Sequence, residues 1–279
     1  MRRLLIAFFV AGLLLPACQS HHSGGSQSEE VADSIQQPDT TASSLEEEIA
    51  REDAVPKAAD ELFDDFIFNF AANRKLQSTR VRFPLPEVRG EEVSYVKKGE
   101  WQMDYFFMEQ DFYTLLFDSE RQMERVKETD IDHVVLEKIY LHGKSVKQYQ
   151  FERVNGLWML QKIVHQPMSE SHNASFLEFY EHFATNEEYQ SKHLSETVHF
   201  VGPDPDDDFS QMEGVITPDT WPAFAPELPS GMIYNIVYGD PQKETGRKIF
   251  VIRGIANGME MELTFKHEGG KWKLEKMTT

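Results

Sequence analysis

The chain has 279 residues, of which 40% are hydrophobic and 27% charged, and its formal net charge is −19. Acidity of that order disfavours nucleic acid and anionic lipid surfaces as partners. Its one cysteine excludes a disulfide within the monomer.

The N-terminus reads MRRLLIAFFVAGLLLPACQS. Arg2 and Arg3 precede an apolar run from Leu4 to Leu15 that is too short to span a bilayer as a stable helix. With the small Ala17 this describes a secretory signal over residues 1–17. Leu15-Pro16-Ala17-Cys18 resembles a bacterial lipobox, with Pro16 its unusual member. The resemblance implies cleavage after Ala17, acylation of Cys18 and a membrane partner held through the lipid. Several acyl chains anchor stably where one binds marginally. Residues 18–55 then read as a tether rich in Ser, Gln, Glu and Asp, without an aromatic residue. Such a segment buries too little apolar surface to offset its ordering entropy, and as a coil it spans about 30–35 Å. His21 and His22 read as incidental. Asp33-Ser34-Ile35 and Asp39-Thr40-Thr41 resemble the O-glycosylation sequon of exported Bacteroidetes proteins. Asn173-Ala174-Ser175 fits the N-glycosylation pattern, which carries little weight in a bacterial lipoprotein.

The remaining chain repeats itself. FERVNGLWMLQK (Phe151 to Lys162) returns as FKHEGGKWKLEK (Phe265 to Lys276) at a constant offset of 114. FDDFIFNFAAN likewise matches FLEFYEHFATN through Phe63/Phe176, Phe66/Phe179, Phe70/Phe183, Ala71/Ala184 and Asn73/Asn186. Between these ends, Val81-Arg82-Phe83 aligns with Val198-His199-Phe200, and Trp101 with Trp221. A period near 110 residues indicates two tandem domains rather than a solenoid.

Each copy opens on a helix, because Phe63, Phe66, Ile67 and Phe70, like Phe176, Phe179, Tyr180 and Phe183, recur at the spacing of one apolar stripe. Ser175-Phe176-Leu177-Glu178 fits a capping box. Each copy ends on strands: 133–141, 145–153 and 157–164 in the first, and 232–238, 247–253, 259–267 and 271–277 in the second. Asn155-Gly156 and Gly269-Gly270 are hairpin turns that require positive φ. The runs 105–108 and 112–117 are apolar but too short to assign. Residues 119–128 read as a further helix. Pro218, Pro222, Pro226 and Pro229 make the matching region around Trp221 a loop.

A helix, an irregular middle and an antiparallel meander closing on F-x-x-x-x-G-x-W-x-L-x-K resemble the nuclear-transport-factor-2-like, or cystatin-like, cone. Two copies behind a lipobox resemble the Bacteroidetes lipoproteins of domain of unknown function 4348. The resemblance implies an α+β chain of two tandem cone-shaped domains, 56–166 and 169–279, each an N-terminal helix packed on a curved antiparallel sheet. It also implies a conical cavity, used in this fold for catalysis, ligand binding or dimerisation, and the fold does not choose among these.

A catalytic cone would hold an acid or base beside a donor. The candidates are Tyr105, Asp111, Tyr113, Tyr140 and His165, a set the second copy does not repeat. Asp204-Pro205-Asp206-Asp207-Asp208 has the spacing of half an EF-hand loop, but Phe209 and Val215 stand where glycine and glutamate are needed. His182, His193 and His199 lack zinc-ligand spacing. No nucleophile elbow, phosphate loop or dinucleotide fingerprint occurs, so neither a metal nor a cofactor is expected. The expected function is a non-enzymatic binding module of the cell envelope, taking a small molecule or an envelope protein. The alternative is a small-molecule hydrolase or isomerase acting in the first cone. The absence of Asp after Cys18 points to the outer membrane, facing periplasm or cell surface.

Overall fold

The computed structural model describes residues 60–241 and 245–279, all within one unit spanning 48–279. The expected signal, Cys18 and tether with its two sequons lie outside the described residues. The first repeat runs α1 (Phe63–Ala72), α2 (Arg74–Arg80), β1 (Leu85–Arg89), β2 (Glu92–Val96), β3 (Phe112–Phe117), α3 (Glu120–Glu124), β4 (His133–Tyr140), β5 (Ser145–Val154) and β6 (Leu157–Pro167). The second runs α4 (Ala174–Thr185), α5 (Glu187–Lys192), β7 (Leu194–Asp204), β8 (Asp207–Ile216), β9 (Met232–Tyr238), β10 (Arg247–Gly254), β11 (Glu260–Glu268) and β12 (Lys271–Thr278).

The recurring phenylalanines and tryptophans explain one another. In the first repeat, Phe151 meets Phe63, Phe66 and Phe70 at centroid distances of 5.3, 5.8 and 5.4 Å. In the second, Phe265 meets Phe176, Phe179 and Phe183 at 5.3, 5.5 and 5.2 Å. Trp158 stands edge-on to Phe63 at 5.1 Å and Trp272 to Phe176 at 5.3 Å. Each buried ring of this kind contributes about 1.5–3 kcal/mol. The hairpins that bring these strands back use positive φ at Asn155 and Gly156, and at Gly269 and Gly270. The repeated spacing is therefore that of a helix clamped on a hairpin.

Polar positions repeat too. Asn73 accepts a hydrogen bond from Leu76 N at 2.9 Å and Asn186 one from Tyr189 N at 2.8 Å, so each caps the second helix of its repeat. Trp101 donates to Gln77 and Trp221 to Gln190, at 3.3 and 2.8 Å. The capping box at Ser175 does not form. The helix begins at Ala174, and the Ser175 hydroxyl accepts from Trp272 Nε1 at 3.1 Å. The match of Val81 to Val198 is also shifted. Val81 lies beside Leu160 as Leu194 lies beside Leu274, so register on the closing strand aligns Val81 with Leu194.

Two six-stranded sheets result, ordered β2-β1-β6-β5-β4-β9 and β8-β7-β12-β11-β10-β3. They are mixed rather than wholly antiparallel, because β1 runs parallel to β6 and β7 parallel to β12. Each sheet is completed by a strand of the other repeat: β9 pairs with β4, and β3 with β10. The exchanged strands meet where Thr114 Oγ1 donates to Tyr234 O at 2.6 Å and accepts from Tyr234 N at 2.8 Å. Side-chain hydrogen bonds thus join two strands that share no ladder.

Candidate functional site

The five residues nominated from sequence are scattered. Tyr105 is exposed ahead of a 3₁₀ turn at Phe106–Glu109. Asp111 is exposed, and its carbonyl accepts from Ile255 N at 3.0 Å. Tyr113 is buried on β3, where its hydroxyl accepts from Arg253 Nη1 at 3.3 Å and burial raises its pKa. Tyr140 closes β4 partly exposed, its pKa raised by burial and by the nearby Asp104 charge. His165 on β6 sits 2.6 Å from Glu87 Oε1; burial lowers its pKa and Glu87 offsets part of that. None of the five lines either cavity described below.

The cone interiors are filled. Phe66, Phe70, Phe107, Tyr149, Phe151 and Trp158 are fully buried in the first, and Phe176, Tyr180, Phe183 and Trp221 in the second. The first cone also holds an ion pair. Asp104 accepts from Lys138 Nζ at 2.6 Å and from the Tyr149 hydroxyl, while Lys138 lies 5.3 Å from the Phe106 ring centroid. Burial raises the Asp104 pKa, but Lys138 outweighs it and holds the carboxyl below its ordinary value.

Open space lies at the junction of the repeats instead. A cavity of about 270 Å³ is walled by β4, β5, β9, the end of β3 and the segment leading into α4. Its floor is a hydrogen-bonded chain. Leu116 N donates to Asn235 Oδ1 at 2.9 Å, Asn235 Nδ2 to Glu137 Oε2 at 2.9 Å, and Gln148 Nε2 to Glu137 Oε1 at 3.0 Å. One wall is braced by Lys248, which is fully buried and donates to Asp118 Oδ1 and, at 2.6 Å, to Asn173 Oδ1. This also answers the Asn173 sequon, because that amide is buried and engaged. At the mouth, His133 lies between Asp132 (2.8 Å) and Asp240 (3.3 Å), and His172 is 3.6 Å from Asp118. A wider depression of about 590 Å³ adjoins the cavity, sharing Asp118, Gln122, Arg125, His133, Gly239 and Asp240 with it.

Amide and carboxylate groups dominate the polar wall, and the apolar part includes Leu116, Phe117, Val135, Ile236, Val237 and Pro241. Such a mixture, with few oriented polar groups over an apolar bed, suits a small polar ligand. The inner lining includes no Ser, Thr or Cys to act as a nucleophile. Among the described residues, no group of three or more His, Cys, Asp or Glu is placed to hold a metal ion. His182 and His193 pack around Tyr189, and Asp204 accepts from Asp206 N at 2.9 Å in the β7–β8 turn.

Paired helices over a six-stranded sheet, built twice, define an NTF2-like α+β protein. A crystal structure of an NTF2-like protein from Bacteroides fragilis is similar at a TM-score of 0.73 and 42% identity, over 80% of this chain and 97% of that one. The chain belongs to the family described as domain of unknown function DUF4348, whose model matches residues 41–279. No curated protein matches it.

Proposed function

We propose that this protein is a non-enzymatic binding module of the bacterial envelope that takes a small polar ligand in the cavity between its repeats. The observation carrying this reading is the contrast between two cones packed with buried aromatic side chains and the cavity with oriented amide and carboxylate groups at the strand exchange. The mature chain is anchored through lipid on Cys18 and held off the outer membrane by the acidic tether. A bound ligand stabilises the folded state by RT ln(1 + [L]/Kd), about 2.7 kcal/mol at a hundredfold excess over Kd. The metabolite fraction of a Bacteroides extract should therefore raise the Tm of the wild type but not of Val237→Trp, which fills the cavity from β9. Equal shifts in both would refute the location. Labelled palmitate entering wild type but not Cys18→Ser tests the anchor, and no label in either would remove it.

A further inference from the structure

We infer that the junction cavity is built for a small organic cation, whose ammonium or guanidinium group pairs with the Glu137 carboxylate at its floor. The inference rests on the binding reading above and adds the class of ligand.

Glu137 lies in the middle of β4, is 4% exposed and lines the cavity. A buried carboxylate is costly without a counter-charge, yet both its hydrogen-bond donors, Gln148 and Asn235, are neutral amides. Among the described residues, no Lys, Arg or His forms an ion pair with it. The adjacent Lys138 emerges on the opposite face of the strand, where it meets Asp104. The bases around the cavity are matched elsewhere. Arg125 pairs with Glu128 at 3.2 Å, His133 with Asp132 and Asp240, His172 with Asp118, and the buried Lys248 with the same Asp118. Glu137 is thus left without a cation at ion-pair distance, and Glu170 in the lining adds to the negative potential.

The duplication supplies an internal control. The 114-residue offset carries Glu137 onto Val251. Val251 pairs with Leu115 across strands as Glu137 pairs with Asn235. Val251 and Leu115 are both fully buried in the first core. The fold thus closes this position once with two apolar side chains and once leaves a carboxylate facing open space. Architecture alone has no need of the acid. Asn235 is also preset for it, since Leu116 N takes its carbonyl oxygen and turns its NH₂ toward Glu137.

The test titrates the purified protein with n-butylammonium, butyramide and butyrate, one shape in three charge states, reading the side-chain amide signals of Gln148 and Asn235 by NMR. The cation should shift both signals and saturate, and the other two should bind at least tenfold more weakly. Glu137→Gln should weaken cation binding at least tenfold while its ligand-free Tm equals or exceeds that of wild type. Glu137→Asp, which keeps the charge, should retain the preference. Butyramide or butyrate binding as tightly as the cation would overturn the charge assignment and leave the cavity reading standing. No shift from any of the three would count against both. A Glu137→Gln variant that loses stability would make the carboxylate a structural strut and overturn the inference.

Discussion

Replacing Lys248 with methionine removes the brace that ties three elements together beside the cavity. The ammonium is fully buried on β10 and joins Asp118, just past β3, to Asn173 at the N-terminus of α4. Methionine nearly matches the aliphatic stem, so lost packing is small. The loss is instead that of a counter-charge for Asp118, which is 5% exposed. Breaking a buried pair from one side costs about 3–5 kcal/mol. For a chain of this size each kcal/mol lowers Tm by about 2–4 °C, so a fall of about 10 °C is expected. Asp118→Asn added to Lys248→Met should restore more than half of it, because the stranded charge is then gone. Urea unfolding followed by the fluorescence of the buried tryptophans compares the wild type with both variants. A Lys248→Met loss below about 1 kcal/mol, or a double variant no better than the single, would refute the reasoning.

Three further outcomes follow from the same geometry. Halves cut after Pro167 should not fold as monomers, because each sheet takes a strand from the other repeat, but mixed together they should reassemble one to one; a half with native near-ultraviolet circular dichroism by itself would contradict the exchange. Asp104→Asn should cost about 1.5–3 kcal/mol at pH 7. Lys138 holds the Asp104 carboxyl below the ordinary aspartate value, so the pairing acts fully above the unfolded value and is lost as pH falls through the folded one. The gap between wild type and variant should accordingly begin to close only below about pH 4, and a gap independent of pH would refute the ion pair. Gly239→Ala should cost about 1–2 kcal/mol, since its φ is +67° and an added Cβ would lie 2.5 Å from Arg125 Nη2; unchanged unfolding would show that the Arg125 packing is loose.

How much was legible in the sequence depended on what each residue contacts. Phe63, Phe151 and Trp158 pack within one repeat, so their periodicity and their return as Phe176, Phe265 and Trp272 revealed the duplicated helix and hairpin directly. The strand exchange was hidden, because the runs 112–117 and 232–238 are largely buried on both faces and carry no mark of which sheet receives them. The cavity was hidden for the same reason, its walls coming from both repeats. Nominating tyrosines near apolar runs found core positions such as Tyr113 instead. The available signal was a polar residue among apolar ones on one face of a strand, as at Glu137, Asn235 and Lys248, because burying such a group is costly unless it is partnered.

The most direct test of ligand binding between the repeats is native mass spectrometry of the protein after incubation with a Bacteroides metabolite extract. A small-molecule adduct on the wild type, absent from Val237→Trp, is the predicted result. An adduct that survives with the cavity filled, or a wild type that emerges bare from every extract, would contradict the account.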